Sequence, residues 1–416
     1  MSNIYKGRGT KADEKQLIGM LDDVFFGDDT SEHKPDFMSL LPKLYKDKYN
    51  PGYNNVIVKE GSEIKAAVGC YPHEVVAAGR KLKVMGIGNV AVAKDSRRKG
   101  YMIDLMNMAL DIIKEGDYDY SLLGGQRQRY GYFGYEPAGY SYGFTTDRGN
   151  IRRLLGADAK SGCTVKEVTE ADTETIRRIK AIHESAAVYS VRSEEMTVDI
   201  LKSWRNVPYA VFEGEEFKGY FIASLYGKEV CELKAEKTED TLKLILSAME
   251  FCEKEQIHFC LPVFDGERCD YMAKICENSA VYNTDMVNVF NYRRFIEAFL
   301  AVKAARVNLC GGTLNMLIHG YKADESLAVT VDGKNVTVCE TDAKPDIELG
   351  HNDAIRFLTG LFSKERFDVP AFAQSWFPLD FYAAGPDNAC LNKIEFKCTA
   401  GLSPAVFCGM TPYRKK

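Results

Sequence analysis

The order in which helical and strand patterns follow one another constrains this chain more than any single motif. Residues 11–26 carry apolar side chains at helical spacing (Leu17, Met20, Leu21, Val24), and the pattern stops at Gly27. Two hairpin patterns follow. The first joins 56–58 to 64–70 around Glu60-Gly61-Ser62, and the second joins 73–78 to 82–93 around Gly79-Arg80. Residues 104–114 then read as a helix with Leu105, Met106, Ala109, Ile112 and Ile113 inward, and 121–123 as a short apolar strand. Helix, antiparallel strands, helix, strand is an α+β order, not a regular βαβ alternation. A similar order recurs further on: strand 164–168, helix 173–187, strands 209–213, 219–225 and 230–235, helix 241–254, strand 258–263. The repeat is one of element order, not of sequence. From about Met286 the pattern changes to a helix at 292–309, a hairpin of 327–331 and 336–340 around Asp332-Gly333-Lys334-Asn335, a strand at 347–349 and a helix at 352–362. The 416 residues are expected to divide into units at 1–150, 151–287 and 288–416.

Charge and cysteine usage narrow the function classes. Lys and Arg number 54 against 59 Asp and Glu, a net −5, which lacks the basic surplus of a nucleic-acid binder. No apolar secretory region follows Met1, and no run of 18 apolar residues offers a membrane span. The 12 cysteines are scattered without a CxxC, so reduced thiols and a cytoplasmic protein are expected. The 6 histidines are isolated and form no ligand spacing, so no sequence-local metal site is expected.

The chemistry concentrates in two segments. Gly86-Ile87-Gly88-Asn89-Val90-Ala91-Val92-Ala93 reads as a strand, Lys94 to Gly100 as a basic loop, and Tyr101-Met102-Ile103 as a helix start. Such a turn is an anion cradle: N–H groups at a helix N-terminus lack partners, and the helix dipole favours negative charge there. Gly100 lets a phosphate approach the backbone, while Arg97, Arg98 and Lys99 add positive charge. The loop is not a P-loop, since GxxxxGK[ST] is absent, and Gly86-x-Gly88 lies inside a strand, where it makes no dinucleotide fingerprint. The second segment runs from Gly124-Gly125-Gln126 through Tyr130-Gly131-Tyr132-Phe133-Gly134-Tyr135-Glu136-Pro137-Ala138. Seven of the 23 tyrosines fall between residues 118 and 142, a cluster beside glycines and an anion loop.

Together the two segments resemble the GNAT acetyltransferases. Arg97-x-x-Gly100 resembles their acetyl-coenzyme A motif, and Tyr130-x-x-x-Gly134-Tyr135 their Y-x-x-x-G-[FY] motif. More narrowly, Arg97-Arg98-Lys99-Gly100 followed by the Tyr130–Ala138 segment resembles the Eis-type branch. The resemblance implies two tandem GNAT-like domains followed by a smaller sterol-carrier-protein-like α+β domain, and assembly into a homo-oligomer, a hexamer in that branch. It also implies acetyl-CoA as co-substrate, a small-molecule amine as acceptor, and a set of roles. The N–H groups of Val90 and Val92, flanking Ala91, would bond the acetyl-pantetheine arm. Arg98 through Ile103, with Tyr101 and Met102 in place of smaller residues, would wrap the pyrophosphate beside Arg97. Gly125 and Gln126 would line the far side, and Tyr130 would protonate the departing thiolate.

That branch draws its general base from the chain's own C-terminal carboxylate, carried on an aromatic residue. This chain ends Thr411-Pro412-Tyr413-Arg414-Lys415-Lys416, without a terminal aromatic. Either the Lys416 carboxylate reaches the site, or Tyr413 anchors the tail, or the base lies elsewhere. In the second unit, Glu236-Lys237-Thr238-Glu239-Asp240-Thr241 has no glycine and three acids, so it would repel a pyrophosphate. Asp28 and Asp29 follow the first helix, next to Phe25 and Phe26, and in a GNAT-like fold an aromatic and acidic pocket there would suit a cationic amine. The competing reading is a non-catalytic protein that binds acyl-CoA or a hydrophobic ligand.

Overall fold

In the computed structural model, which describes residues 4–156, 158–361 and 366–382, the pattern of alternating apolar residues assembles one large mixed sheet first. Its elements are β1 (Ile4–Arg8), α1 (Glu14–Phe26), the short helices α2 (Phe37–Leu40) and α3 (Pro42–Tyr45), β2 (Asn55–Glu60), β3 (Glu63–Ala77), β4 (Arg80–Val92), α4 (Tyr101–Glu115), β5 (Tyr120–Leu123), α5 (Arg127–Tyr130) and β6 (Glu136–Pro137). The two expected hairpins share one strand. β3 is 15 residues long and carries Pro72 in register with Met85, where the sequence pattern breaks into two strands at that proline.

The next stretch comprises β7 (Tyr140–Asp147), α6 (Arg148–Leu155), β8 (Thr164–Glu167), α7 (Thr173–Glu184), β9 (Val188–Ser190), α8 (Glu194–Lys202), β10 (Asn206–Glu213), β11 (Glu216–Ser224), β12 (Val230–Ala235), α9 (Thr241–Cys252), β13 (Gln256–Pro262), α10 (Gly266–Ala273) and β14 (Asn278–Asn283). The last comprises β15 (Met286–Val289), α11 (Tyr292–Arg306), β16 (Gly312–His319), β17 (Asp324–Asp332), β18 (Asn335–Glu340), β19 (Ile347–Gly350) and α12 (His351–Thr359).

Strands cross the breaks expected near 150 and 288. β7 pairs with β13 and β14, joining the sheet of the middle stretch, while β15 returns to pair with β5 and β6. The first sheet therefore runs β1-β2-β3-β4-β5-β15-β6, with β9 added at the far end of β3. A small sheet, β12-β11-β10-β8, and the three-stranded β13-β7-β14 make up the middle. The C-terminal sheet is β18-β17-β16-β19.

Strand alternation decides which helix each residue meets. Met85 and Leu123 pack with Leu105, Met106, Ala109 and Ile113 of α4. Their neighbours Val84 and Leu122 face the other way, onto Phe295, Phe299 and Val302 of α11. The C-terminal sheet closes on the opposite side of α11 with Leu314, Met316, Val329 and Val338. Lying between two sheets, α11 buries ten of its 15 residues, Lys303 among them, and keeps Arg293, Arg294 and Glu297 at its rim. Among the described residues, nine cysteines are free thiols, and no helix is long and apolar enough to cross a membrane.

Candidate active site

The site begins as a fork. β4 and β5 run parallel, in register from Val84 with Tyr120 to Ile87 with Leu123. Beyond that pair β5 ends, and Gly124 and Gly125 lead away while β4 continues to Val92, bonded only to β3. The Ala93 N–H donates to the Lys65 carbonyl on β3, 2.8 Å away. By strand alternation the N–H of Val92 points to the opposite side, into the fork.

A bulge marks the start of this free edge. Gly88 pairs with Gly69 and Ala91 with Ala67, so Asn89 and Val90 together face the single residue Val68. Asn89 adopts a left-handed φ of 39°, unusual for a residue with a side chain. Its side chain holds the bulge: Tyr71 donates to Oδ1 at 2.6 Å, and Nδ2 donates to Asn55 Oδ1 at 2.8 Å. Tyr45 and Tyr71 hydroxyls meet at 2.8 Å behind it, and Asn55 Nδ2 donates to the Pro51 carbonyl. A Cβ at Gly69 would lie 2.1 Å from Asn89 Oδ1, so only glycine leaves room for this network.

The anion loop lies at the end of β4. Arg98 has φ 70° and Gly100 has φ 83°, two left-handed turns one residue apart that feed α4. Among the described residues, the N–H groups of Arg98, Lys99, Gly100, Tyr101 and Met102 have no backbone acceptor, and Arg97 and Arg98 have no ion-pair partner. Two of the expected contacts turn elsewhere. Lys99 Nζ pairs with Glu60 Oε1 at 2.6 Å, and the buried Tyr101 donates its hydroxyl to the same carboxylate at 2.5 Å. Met102 is half-buried against the α4 core, and the Ile103 side chain is exposed. The backbone of this segment, with Arg97 and Arg98, is thus the part open to an anion.

Tyr130 ends α5 on the β5 side of the fork. It is buried in one cluster with Met85, Ile87, Leu123 and Tyr101, against which Val90, Val92 and Met102 also pack. Gly125 has φ 150°, and a Cβ there would sit 2.8 Å from the Tyr130 ring. The other tyrosines of the cluster do different work. Tyr120 packs edge-on to Phe295 and Phe381, Tyr135 shares a 2.7 Å hydrogen bond with Ser121, and Tyr132 is exposed. Gln126 and Gly125 are exposed at the start of the turn.

On the opposite flank, Phe26 is buried among Phe25, Phe37 and Tyr45. Asp28 is exposed and paired with Lys94 at 2.6 Å, and Lys94 holds its carboxyl below the usual carboxylate range. Asp29 accepts from the Ser31 N–H at 2.8 Å. Both carboxylates are therefore engaged within the loops that bound the site. Lys416 and Tyr413 lie outside the described residues.

Sequence reading missed the residues that grip the Tyr130 turn from far along the chain. His351 Nε2 lies 3.1 Å from the Gly134 carbonyl, with Nδ1 2.9 Å from the Tyr292 hydroxyl. Burial pushes the His351 imidazole down to about 4, so it is neutral and donates through Nε2. Asn288 donates to the Phe133 carbonyl at 2.9 Å. Buried Glu136 receives Arg127 Nε at 2.7 Å, Asn352 Nδ2 at 3.0 Å, and Arg356. Burial raises the carboxyl of Glu136, but the two arginines outweigh it and hold the group below its ordinary value. Separations of 155 to 220 residues left no local signal for these contacts of Asn288, His351, Asn352 and Arg356 with the turn and Glu136.

Residues 8–138 match the model of the Acetyltransferase (GNAT) domain family. Among solved structures, a GCN5-related N-acetyltransferase from Kribbella flavida aligns with a TM-score of 0.64 at 16% identity, over 92% of this chain and 97% of its own. One from Anabaena variabilis gives 0.65 at 14%, over 92% and 98%. Eis1 from Mycobacterium abscessus gives 0.60 at 15%, over 94% and 99%. At these identities the likeness is one of fold, and it extends through all three parts of the chain. No curated protein matches the sequence. The β4–β5 fork, the anion loop and the Tyr130 turn all fall within residues 8–138, so the first unit is a GNAT acetyltransferase domain and the chain is an acyltransferase.

Proposed function

We propose that the chain transfers an acetyl group from acetyl-CoA to a primary amine of aminoglycoside, polyamine or lysine-like type, with Tyr130 as general acid. The observation that carries this reading is the meeting of three features at one fork: the free edge of β4 at Val90 and Val92, the partnerless N–H groups of Arg98 to Met102, and Tyr130 across from them. A pyrophosphate fits the five N–H groups and the guanidinium groups of Arg97 and Arg98, which have no ion-pair partner among the described residues. The acyl arm then follows β4, where the Val92 N–H is available to the thioester oxygen as charge develops.

In direct transfer the amine nitrogen bonds to the acyl carbon and the carbon–sulfur bond breaks. An alkyl amine with pKa near ~10.4 must first lose a proton, at a cost of about 4.6 kcal/mol at pH 7. The departing thiolate has an ordinary pKa of about 8.5, so protonation by the Tyr130 hydroxyl assists it. No covalent enzyme intermediate is required. In this reading Asp28 receives the cationic acceptor by exchanging it for Lys94, since an exposed ion pair holds its partners only weakly. The base is the Lys416 carboxylate or another group delivered to the acceptor side.

The middle unit is a degenerate GNAT-like domain in this reading. Its counterpart of the anion loop carries Glu236, Glu239 and Asp240, and Arg268 donates to the Ala235 carbonyl where β12 ends. Calorimetry with CoA is expected to give one site per chain. The last unit is read as sterol-carrier-protein-like, and the whole as a cytoplasmic homo-oligomer, hexameric as in the Eis-type branch, which light scattering on the purified chain tests.

The decisive experiment is thiol release from acetyl-CoA in the presence of polyamines, aminoglycosides and lysine peptides. Turnover with at least one amine, and a loss of about 100-fold or more in kcat for Tyr130→Phe with CoA binding retained, is expected. CoA binding without release of thiol for any amine would refute the reading and leave a binding protein.

A further inference from the structure

The turn that carries Tyr130 is not held by its own domain alone. Three carbonyls after Tyr130 accept from side chains at the far end of the chain. Gly131 accepts from Asn352 at 3.3 Å, Phe133 from Asn288 at 2.9 Å, and Gly134 from His351 at 3.1 Å. Space is filled as tightly as the polar groups are paired. A Cβ at Gly134 would lie 2.8 Å from the Tyr321 ring, 2.9 Å from Asn288 Nδ2 and 3.0 Å from His351 Nε2. A second tie runs through charge. Arg127, in the first turn of α5 and three residues before Tyr130, forks onto both oxygens of Glu136 at 2.7 and 3.1 Å. The same carboxylate is shared by Asn352 and Arg356 of α12.

From this geometry we infer that α12 is the positioning element of the active site: Asn352 and Arg356, with His351, fix the α5 turn and so set where the Tyr130 hydroxyl stands across the fork. The inference rests on the proposed role of Tyr130. It assigns His351, Asn352 and Arg356 as positioning residues, since each acts through the turn and none reaches the fork itself. The physical argument is preorganisation. A four-residue helix followed by a turn has little stability of its own, so its resting geometry is set by what grips it. Misplacing a catalytic group by about 1 Å costs on the order of 100-fold in rate. The C-terminal unit thus contributes to catalysis through the placement of another unit's side chain, without touching the reacting atoms.

Asn352→Ala tests this, because it removes one hydrogen bond to the turn, at Gly131, and one to the Glu136 carboxylate that holds Arg127, and leaves the core of the C-terminal unit intact. Hydrogen exchange on the full chain, without ligand, is expected to run about tenfold faster at residues 127–135, while α4 and β4 keep their protection. In steady state kcat is expected to fall about tenfold with the KM for acetyl-CoA unchanged. Asn352→Gln keeps the amide donor and is expected to recover most of both effects. In a Tyr130→Phe background the Asn352→Ala substitution is expected to cost little more, since both act through one group. Unchanged exchange at 127–135 overturns the inference whatever the activity does. A loosened turn with full turnover, in a protein where Tyr130→Phe is impaired, overturns it as well. Full turnover in Tyr130→Phe refutes the assigned chemistry instead, and the exchange data separate that failure from the other.

Discussion

Replacing Asn89 by alanine tests whether the bulge on β4 is built or incidental. Asn89 does two things at once: it tolerates φ 39°, and its amide bridges Tyr71 and Asn55. Alanine loses both. The left-handed backbone costs a residue with a Cβ about 1–2 kcal/mol. Asn55 is fully buried and its Oδ1 accepts from Asn89, so loss of that donor strands an acceptor at about 1–3 kcal/mol. Tyr71 keeps Tyr45 as a hydroxyl partner and adds little. The sum is about 2–5 kcal/mol, read as a lower midpoint in urea unfolding. Asn89→Gly separates the two parts. Glycine adopts the left-handed backbone freely but strands Asn55 all the same, so it should recover about 1 kcal/mol of the alanine loss. If the bulge aims Val90 and Val92 at the acyl arm, both variants should also raise the KM for acetyl-CoA by about tenfold or more. Unfolding midpoints and KM both equal to wild type in Asn89→Ala would refute the argument, because the bulge would then persist without its brace.

Three further outcomes are expected. Arg97→Ala with Arg98→Ala should raise the KM for acetyl-CoA by about tenfold and flatten its salt dependence, while stability stays within about 0.5 kcal/mol, as neither guanidinium has an ion-pair partner in the described structure. Gly134→Ala should destabilise the chain by about 2–5 kcal/mol in urea, since the new Cβ meets φ 83° and three atoms within 3.0 Å. His351 sets a pH dependence. Its folded pKa, about 4, lies below the ordinary 6.5, so the unfolded chain binds the extra proton first. The stability it supports is complete above pH 6.5 and is lost progressively as pH falls toward 4, and a His351→Gln chain should show a shallower slope across that window in urea midpoints.

Much of the first unit was legible in the sequence because its determinants are local. The apolar period of α1 and α4, the turn residues between β2 and β3, and the run from a strand through Arg97-x-x-Gly100 into a helix all act within a few residues. The turn around Tyr130 was legible for the same reason, through Gly125 before it and Gly134 after it. Exchange of β7 and β15 between sheets was not, because a strand's pattern reports that one face or both are buried, never which neighbour buries them. Pro72 misled in the same way: within β3 it reads as a break, and only the pairing with Met85 shows one continuous strand.

What the sequence by itself determined is which groups stand along the chain: a basic loop with Gly100, a tyrosine-bearing turn about thirty residues on, and an α+β order with an acyltransferase domain at its start. What the tertiary structure decided is how that chemistry is held. His351, Asn352 and Arg356 carry no motif along the chain, and Glu136 reads only as part of the Tyr130 segment, yet folding brings α12, more than 200 residues away, against that turn. Asn89 carries no motif, yet it keys the bulge at the fork. Local spacing encodes which groups are present. Their placement depends on long-range contacts whose partners no short window of sequence contains.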